Sequence, residues 1–184
     1  MKKKQNVGSS FQPFWKGSML FRAISYLKFL LKSTNEHGVH SPFVFKYVTE
    51  GLYRKKRLHK NKSIDILLKS LAYFNFTNIL LVDNPQAHGI VQMQFPEIQS
   101  DSAIFDLLFI NHLSEKDFKK LLSEGELHNN SMVLVDAINA TKQEQETWHR
   151  LTELPEITVS IDMFYCGALF IRREQVKEHF TIRI

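Results

Sequence analysis

The chain has 184 residues, of which 43% are apolar, and a net charge of +5. A domain of this length buries roughly 70% of its unfolded surface, so the fold needs neither disulfides nor a metal. The single cysteine, Cys166, excludes an internal disulfide framework. No apolar run approaches the ~20 residues that a membrane span requires, so we expect a soluble cytoplasmic protein.

The charge is distributed unevenly along the chain. Residues 1–62 hold 14 Lys/Arg against 2 Asp/Glu, whereas residues 63–184 hold 10 Lys/Arg against 17 Asp/Glu. The densest basic cluster could contact nucleic acid or an anionic membrane surface. A solvated loop before a helix is the favoured interpretation, because the aromatic residues of a single-strand-binding platform are missing. The cluster contains Arg54, Lys55, Lys56, Arg57, Lys60 and Lys62.

The N-terminal region is predicted to be helical. Residues 1–13 are interpreted as a disordered basic tail, and residues 14–62 as a basic helical region. Apolar residues recur at helical spacing over 15–31, which predicts an amphipathic helix that packs on the domain, on a second subunit or on a membrane interface. A second helix is predicted to begin with Ser41 as N-cap and Pro42 in its first turn.

Residues 63–184 predict one α/β domain. Strands alternate with helices, and the chain closes with an antiparallel hairpin, a pattern typical of a three-layer sandwich. Ser63 is interpreted as the cap of the first helix, and residues 90–95 as a short strand or a packed loop. The predicted strands are 78–83, 105–110, 132–136, 157–164 and 168–172, and the predicted helices are 64–74, one from 114 onward and 142–154.

The segment after the first strand is unusually short and poor in glycine. The strand ends at Asp83, like the lead-in to a nucleotide-cofactor loop, but 84–89 contains one glycine where such loops commonly carry three. Residues 84–104 leave room for one parallel crossover and not for two further strands with their helices. The sequence therefore predicts an α/β fold from which the cofactor-binding half is missing.

Two terminal signatures and two central strands point to one family. The signatures are Asn35–Phe45 and Val159–Phe170, the latter continued by Lys177–Phe180, and the strands are 105–110 and 133–136. Together they resemble a bacterial group of class I S-adenosylmethionine-dependent methyltransferases, related to the catechol O-methyltransferase type. The similarity covers the chain from about residue 20, except for 84–104.

The resemblance implies a truncated Rossmann-like methyltransferase sheet of about five strands, with N-terminal helices and the C-terminal hairpin. The first strand would lie beside 105–110, followed by 132–136, then 168–172 and 157–164. The exposed edge of the first strand would need to be covered by residues 84–104, by the N-terminal helices or by a partner subunit. Family members bind the cofactor after the first strand, which makes Asp83, Asn84 and Asn111 candidate remnants of that site.

The resemblance also identifies the positions of a divalent-cation site. Related enzymes place carboxylates after two central strands, and here Asn111 and Asp136 stand there, with Ala137 next. One amide and one carboxylate are a poor ligand set for Mg²⁺, so we expect no metal. Asp136 remains a weak catalytic candidate, and a helix-terminal carboxylate or hydrogen-bond acceptor is the preferred interpretation. Cys166 is interpreted as a structural thiol.

Three functions remain open at this point. The preferred one is a methyltransferase-fold protein without cofactor binding or catalysis, acting as a structural or regulatory subunit in a homodimer or with a related methyltransferase. The second is an active enzyme that uses S-adenosylmethionine, with Asp83, Asn84 and Asn111 as a reduced cofactor site and Asp136 near the acceptor. The third is a nucleic-acid-binding accessory protein that uses the basic residues of 1–62.

Overall fold

A mixed six-stranded sheet with helices on both faces organises the computed structural model, which describes residues 14–53 and 56–184, with side chains from residue 19. This is the α/β sandwich that the sequence predicts. The strands are β1 (Ile79–Val82), β2 (Phe105–Ile110), β3 (Leu127–Asp136), β4 (Val159–Asp162), β5 (Cys166–Phe170) and β6 (Glu178–Thr181). The helices are α1 (Phe14–Lys32), α2 (Pro42–Lys46), α3 (Lys62–Phe74), α4 (Pro85–Gln94), α5 (Glu115–Ser123) and α6 (Lys142–Glu153).

The strands lie in the order β1-β2-β3-β5-β4-β6. β1, β2 and β3 are parallel and are joined by helical crossovers, and β5 is antiparallel to both β3 and β4. The first five strands therefore have the expected neighbours. The sheet has one more strand than expected, because the tail after the hairpin pairs with β4 in parallel as β6.

The sheet separates two apolar cores, because successive side chains of a strand point to opposite faces. Leu107 and Phe109 of β2 pack toward α3, α4 and the helix that starts at Pro42 and continues as a π-helix over Tyr47–Tyr53. Leu108, on the other face, packs toward α5 and α6. The segment that precedes α3 thus shares a core with the sheet.

Both outer strands are covered by short bridges. The Ile79 N–H donates to the Gln99 carbonyl at 2.9 Å, and the Gln99 N–H donates to the Thr77 carbonyl at 2.8 Å. At the opposite edge, the Thr34 N–H donates to the Thr181 carbonyl at 2.9 Å. The segment after α4 therefore covers part of the β1 edge, which is one of the three covers that the sequence suggests.

The interpretation of 90–95 as a strand or loop is wrong. Residues 90–94 complete α4, and Phe95 is its C-cap. The N-cap is Asn84, whose Oδ1 accepts the N–H of Ala87 at 2.9 Å. Pro85 follows in the first turn, where the lack of an N–H costs nothing. The same signal correctly predicts α2, where Ser41 is the N-cap and Pro42 follows it.

The interpretation of Ser63 as a helix cap is also wrong. α3 begins at Lys62, and its N-cap is Asn61, whose side chain accepts the N–H groups of Ser63 at 2.9 Å and Ile64 at 3.4 Å. Asn and Ser are equally good caps, so the sequence offers two choices that are two residues apart. The consequence is that the Ser63 hydroxyl remains available for another partner.

α1 forms over the predicted segment and packs on the domain along one side. Ser25 and Phe29 are buried, and the Phe29 ring lies 5.4 Å from that of Phe164 in the β4–β5 turn. Among the helices that the structure describes, none is long and apolar enough to cross a bilayer.

Candidate functional site

A pocket of about 740 Å³ opens at the carboxyl ends of the parallel strands, the usual ligand-binding edge of an open α/β sheet. Its lining combines positive and negative side chains from distant parts of the chain. Arg22 comes from α1, Lys60 from the loop before α3 and Lys62 from the first residue of that helix. Asp136 is the last residue of β3, and Asn139 lies in the turn that follows. The fold thus joins the basic N-terminal region to the predicted catalytic edge.

Asp136 acts as a hydrogen-bond acceptor at this edge. Its Oδ1 accepts the Ser63 hydroxyl at 2.6 Å and the Ala137 N–H at 2.7 Å. Ala137 has a φ of +55°, a left-handed conformation that turns the chain sharply after β3. The carboxylate therefore fastens the first turn of α3 to the end of β3.

The three residues predicted as remnants of a cofactor site lie around the end of β1. The Asn111 side-chain amide donates to the Asp83 carbonyl at 3.1 Å, so these two residues are brought together. Asp83 has a φ of +54°, and the chain turns directly from it into α4. The side-chain oxygen of Asn84 is occupied by the N–H of Ala87. All three residues hold the strand–helix turn itself.

Asn111 and Asp136, which occupy the metal-binding positions of the related enzymes, have separate partners here. Asn111 bonds the backbone of Asp83, whereas Asp136 bonds Ser63 and Ala137. Within the described part of the chain, no three His, Cys, Asp or Glu side chains converge as metal ligands would.

The described part of the basic cluster lies in the loop before α3 and at the first residue of that helix, beside the pocket. Lys56, Arg57 and Lys60 are exposed, and Arg54 and Lys55 fall outside the described residues. The Arg57 guanidinium donates to the carbonyl of His59 at 2.9 Å and also to that of Lys60. Lys62 lies at the pocket wall, where its Nζ donates to the Ile184 carbonyl at 3.2 Å.

A buried ion pair in α3 holds this loop through hydrogen bonds to its backbone. The sequence analysis did not predict this pair. Asp65 and Lys69 are both buried and lie 3.0 Å apart, and the Lys69 Nζ also donates to the Leu52 carbonyl at 3.0 Å. Asp65 accepts the N–H groups of Leu58 and His59. The Asp65–Lys69 spacing is a visible helical pair, but exposed pairs have the same spacing, so sequence could not reveal its burial.

Cys166 is the first residue of β5 and is fully buried. Burial raises the pKa of its thiol well above the usual value, and the nearby carboxylates of Asp136 and Asp162 raise it further. A thiol that stays protonated is a poor nucleophile. This environment agrees with a structural role for Cys166.

A serine–histidine contact across β4 and β6 was also missed. The Ser160 hydroxyl and the His179 Nδ1 share a hydrogen bond at 2.7 Å. Ser160 is only 2% exposed, so its hydroxyl is closed to a substrate. Burial lowers the pKa of His179, and the positive field of His149 lowers it further. Sequence could not find this pair, because β6 itself was not predicted.

Comparison with known proteins does not assign the chain to a family. Protein-family models, curated proteins and solved structures give no significant match to the chain. The functional inference therefore depends on the site itself.

Proposed function

We propose that this chain is a methyltransferase-fold protein that binds no S-adenosylmethionine and acts as a structural or regulatory subunit. The observation that carries the proposal is the position of β1 at the edge of the sheet. In the family that the sequence resembles, a neighbouring strand beyond β1 supplies the acidic residue for the ribose. Here Asn78, directly before β1, forms a parallel bridge with Gln99, in the segment that follows α4.

The turn after β1 supports the same proposal. A glycine-rich loop would offer free N–H groups to the carboxylate of the cofactor's amino-acid portion. Here the Ala87 N–H bonds Asn84, and the Asp83 carbonyl bonds Asn111. The only glycine of this segment, Gly89, lies inside α4, away from the turn. These residues do not fit the cofactor.

The residues at the carboxyl end of β3 also support the proposal. The Asp136 carboxylate is engaged by Ser63 and Ala137, and Asn111 stands where a second metal-binding carboxylate would be required. Both hydrogen bonds are made to the same oxygen of Asp136, Oδ1, so this oxygen is committed to the packing of α3 against the sheet. The site is therefore better suited to holding α3 against the sheet than to activating a hydroxyl.

A calorimetric titration with S-adenosylmethionine and S-adenosylhomocysteine tests the proposal. We expect no binding heat and no thermal stabilisation at millimolar ligand. Micromolar binding that is lost in an Asp83→Ala variant would instead support the active enzyme.

The subunit role has its own readout. Light scattering of the full chain is expected to give a mass above that of the monomer, or a mixed complex with a related methyltransferase. A strictly monomeric chain that binds no such relative would contradict a subunit role.

A further inference from the structure

The pocket at the carboxyl ends of the parallel strands contains two cations that are not used in ion pairs within the described structure. Arg22 of α1 and Lys60 of the loop before α3 both line this pocket. Among the ion pairs of the described residues, none includes either side chain. Lys62, which also lines the pocket, donates to the Ile184 carbonyl. An anion in the pocket would therefore meet two positive charges that no described carboxylate pairs with.

The positive charge is concentrated near Tyr165, in the turn between β4 and β5. This half-buried side chain lines the pocket. Burial raises the pKa of its hydroxyl, and the charges of Arg22 and Arg57 oppose this rise. Arginines from α1 and from the basic loop therefore act on one hydroxyl. Arg57 also donates to the carbonyls of His59 and Lys60, which fixes the part of the loop that carries Lys60.

The backbone at the start of α3 is not the source of the anion-binding groups. The N–H groups of Ser63 and Ile64 donate to the Asn61 side chain, and the Asp65 N–H donates to the Asn61 carbonyl. These N–H groups are therefore satisfied within the helix start. Recognition of an anion in the pocket depends on the side chains of α1 and of the basic loop, so substitutions can test it.

The same pocket contains a hydrogen-bond acceptor. The Oδ1 of Asp136 is used by Ser63 and Ala137, whereas its Oδ2 has no hydrogen-bond partner in the described part of the chain. A carboxylate oxygen accepts the proton of a hydroxyl but repels a phosphate. Gln86, near the start of α4, also lines the pocket, and its amide can both donate and accept. The lining therefore suits a ligand that carries hydroxyl groups besides its anionic group.

We propose that this pocket binds a small sugar phosphate, whose phosphate group pairs with Arg22 and Lys60 and whose hydroxyl groups donate to the Asp136 Oδ2. An arginine holds phosphate oxygens through paired hydrogen bonds, and a lysine adds a point charge. The volume of about 740 Å³ lies within the range of about 300–1,000 Å³ that is typical of small-molecule sites. The proposal goes beyond the subunit role and does not depend on the absence of cofactor binding.

Other ligands match only part of this lining. A nucleic acid could contact the exposed lysines of the basic loop, but its row of phosphates would also meet the Asp136 carboxylate. The basic loop also lacks the aromatic residues on which single-stranded bases stack. S-adenosylmethionine carries a sulfonium cation and no phosphate, so Arg22 and Lys60 would not favour it.

Isothermal titration of the full chain with ribose 5-phosphate, inorganic phosphate and ribose tests the proposal. We expect ribose 5-phosphate to bind most tightly and inorganic phosphate to bind about tenfold more weakly, because it offers no hydroxyl group to Asp136. Ribose should not bind at millimolar concentration, because it offers no anion to the two cations.

A pair of variants tests the two cations. Arg22→Gln/Lys60→Gln should weaken the binding of ribose 5-phosphate by about tenfold or more, since both charge-assisted contacts are lost. The matched control is Lys116→Gln/Lys119→Gln in α5, which removes two cations outside the pocket lining and should leave binding unchanged. All four positions are exposed, and circular dichroism verifies that the variants keep the fold.

Three outcomes would overturn the proposal. These are no binding of ribose 5-phosphate at millimolar concentration, binding no tighter than that of inorganic phosphate or ribose, and binding that Arg22→Gln/Lys60→Gln leaves unchanged. Salt-sensitive binding of a single-stranded RNA oligonucleotide without binding of ribose 5-phosphate would overturn it in favour of nucleic acid. The titration with S-adenosylhomocysteine tests the subunit role alone, so the two proposals can fail separately.

Discussion

The Ser63 hydroxyl donates to the Asp136 carboxylate at 2.6 Å, across 73 residues of sequence. Because Asn61 caps α3, the Ser63 side chain is free to make this contact. The bond joins the basic loop and α3 to the end of β3, at the wall of the pocket that both residues line. Structural use of Asp136 is thus the simplest account of the site.

Ser63→Ala should lower the free energy of unfolding by about 1–2 kcal/mol, because a hydrogen bond to a carboxylate is lost. Urea unfolding measures the change. Ser123→Ala, at an exposed helix end, is the matched control and should stay within about 0.5 kcal/mol of the parent. Equal effects of the two variants would argue against a stabilising Ser63–Asp136 contact.

Ala137→Gly should raise the free energy of unfolding by about 1 kcal/mol, because glycine adopts a φ of +55° without the steric cost that Ala137 pays. Ala140→Gly, three residues later and outside the left-handed region, should destabilise the protein instead. Thermal and urea unfolding of both variants give the comparison. A loss of stability in Ala137→Gly would contradict the strained turn.

Asp65→Asn should destabilise the fold by about 3–5 kcal/mol, because Lys69 would remain buried without its counter-charge. The exposed pair Lys142–Glu146 provides the control, since Glu146→Gln should cost less than about 1 kcal/mol. Urea unfolding separates the two. A double variant, Asp65→Asn/Lys69→Met, keeps an acceptor oxygen for the N–H groups of Leu58 and His59 and should recover part of the loss. No recovery would argue against the unpaired charge as its cause.

The Asp106 carboxylate should give the protein a pH-dependent stability term. Burial opposes its ionisation, but the N–H groups of Asn78 and Thr77 and the His128 ring bond it, so the net pKa lies below the usual 3.8. A lowered folded-state pKa stabilises the fold above pH 3.8, and this contribution is lost as the pH falls through the folded-state value.

Asp106→Asn should therefore cost about 1 kcal/mol near neutral pH, after allowance for solvent screening, and progressively less below pH 3.8. The free energies of unfolding of both proteins, measured from about pH 3 to about pH 7, give the dependence of this difference on pH. A difference that grows on acidification would have the wrong sign for this carboxylate.

The sheet could be predicted because its central strands are apolar runs. β2 and the second half of β3 are buried on both faces, so each is a nearly continuous run of apolar residues. A single polar residue such as Asp106 does not obscure such a run. β6 has no such signal, since Glu178 and His179 stand beside Phe180, and its pairing depends on the edge of β4. α4 was missed because Ile90, Val91, Met93 and Phe95 resemble a short apolar strand, although Asn84 and Pro85 mark a helix start.

The site could be predicted only in part. Asp83, Asn111 and Asp136 follow strands, so their location at one edge of the sheet follows from parallel topology. Their hydrogen-bond partners could not be predicted, because Ser63 reaches Asp136 from a helix whose start depends on the choice between two caps. The helical periodicity of α1 was visible in the sequence, but which of its apolar side chains are buried and which stay exposed required the packed structure.

Our central proposal is that the strand–helix turn at Asp83 does not bind S-adenosylmethionine. Isothermal titration of the full chain with S-adenosylhomocysteine, at protein concentrations that detect millimolar affinity, tests it most directly. The account predicts no heat above dilution for the parent and for Asp83→Ala alike. Saturable micromolar binding to the parent, abolished in Asp83→Ala, would contradict it and identify this turn as a working cofactor site.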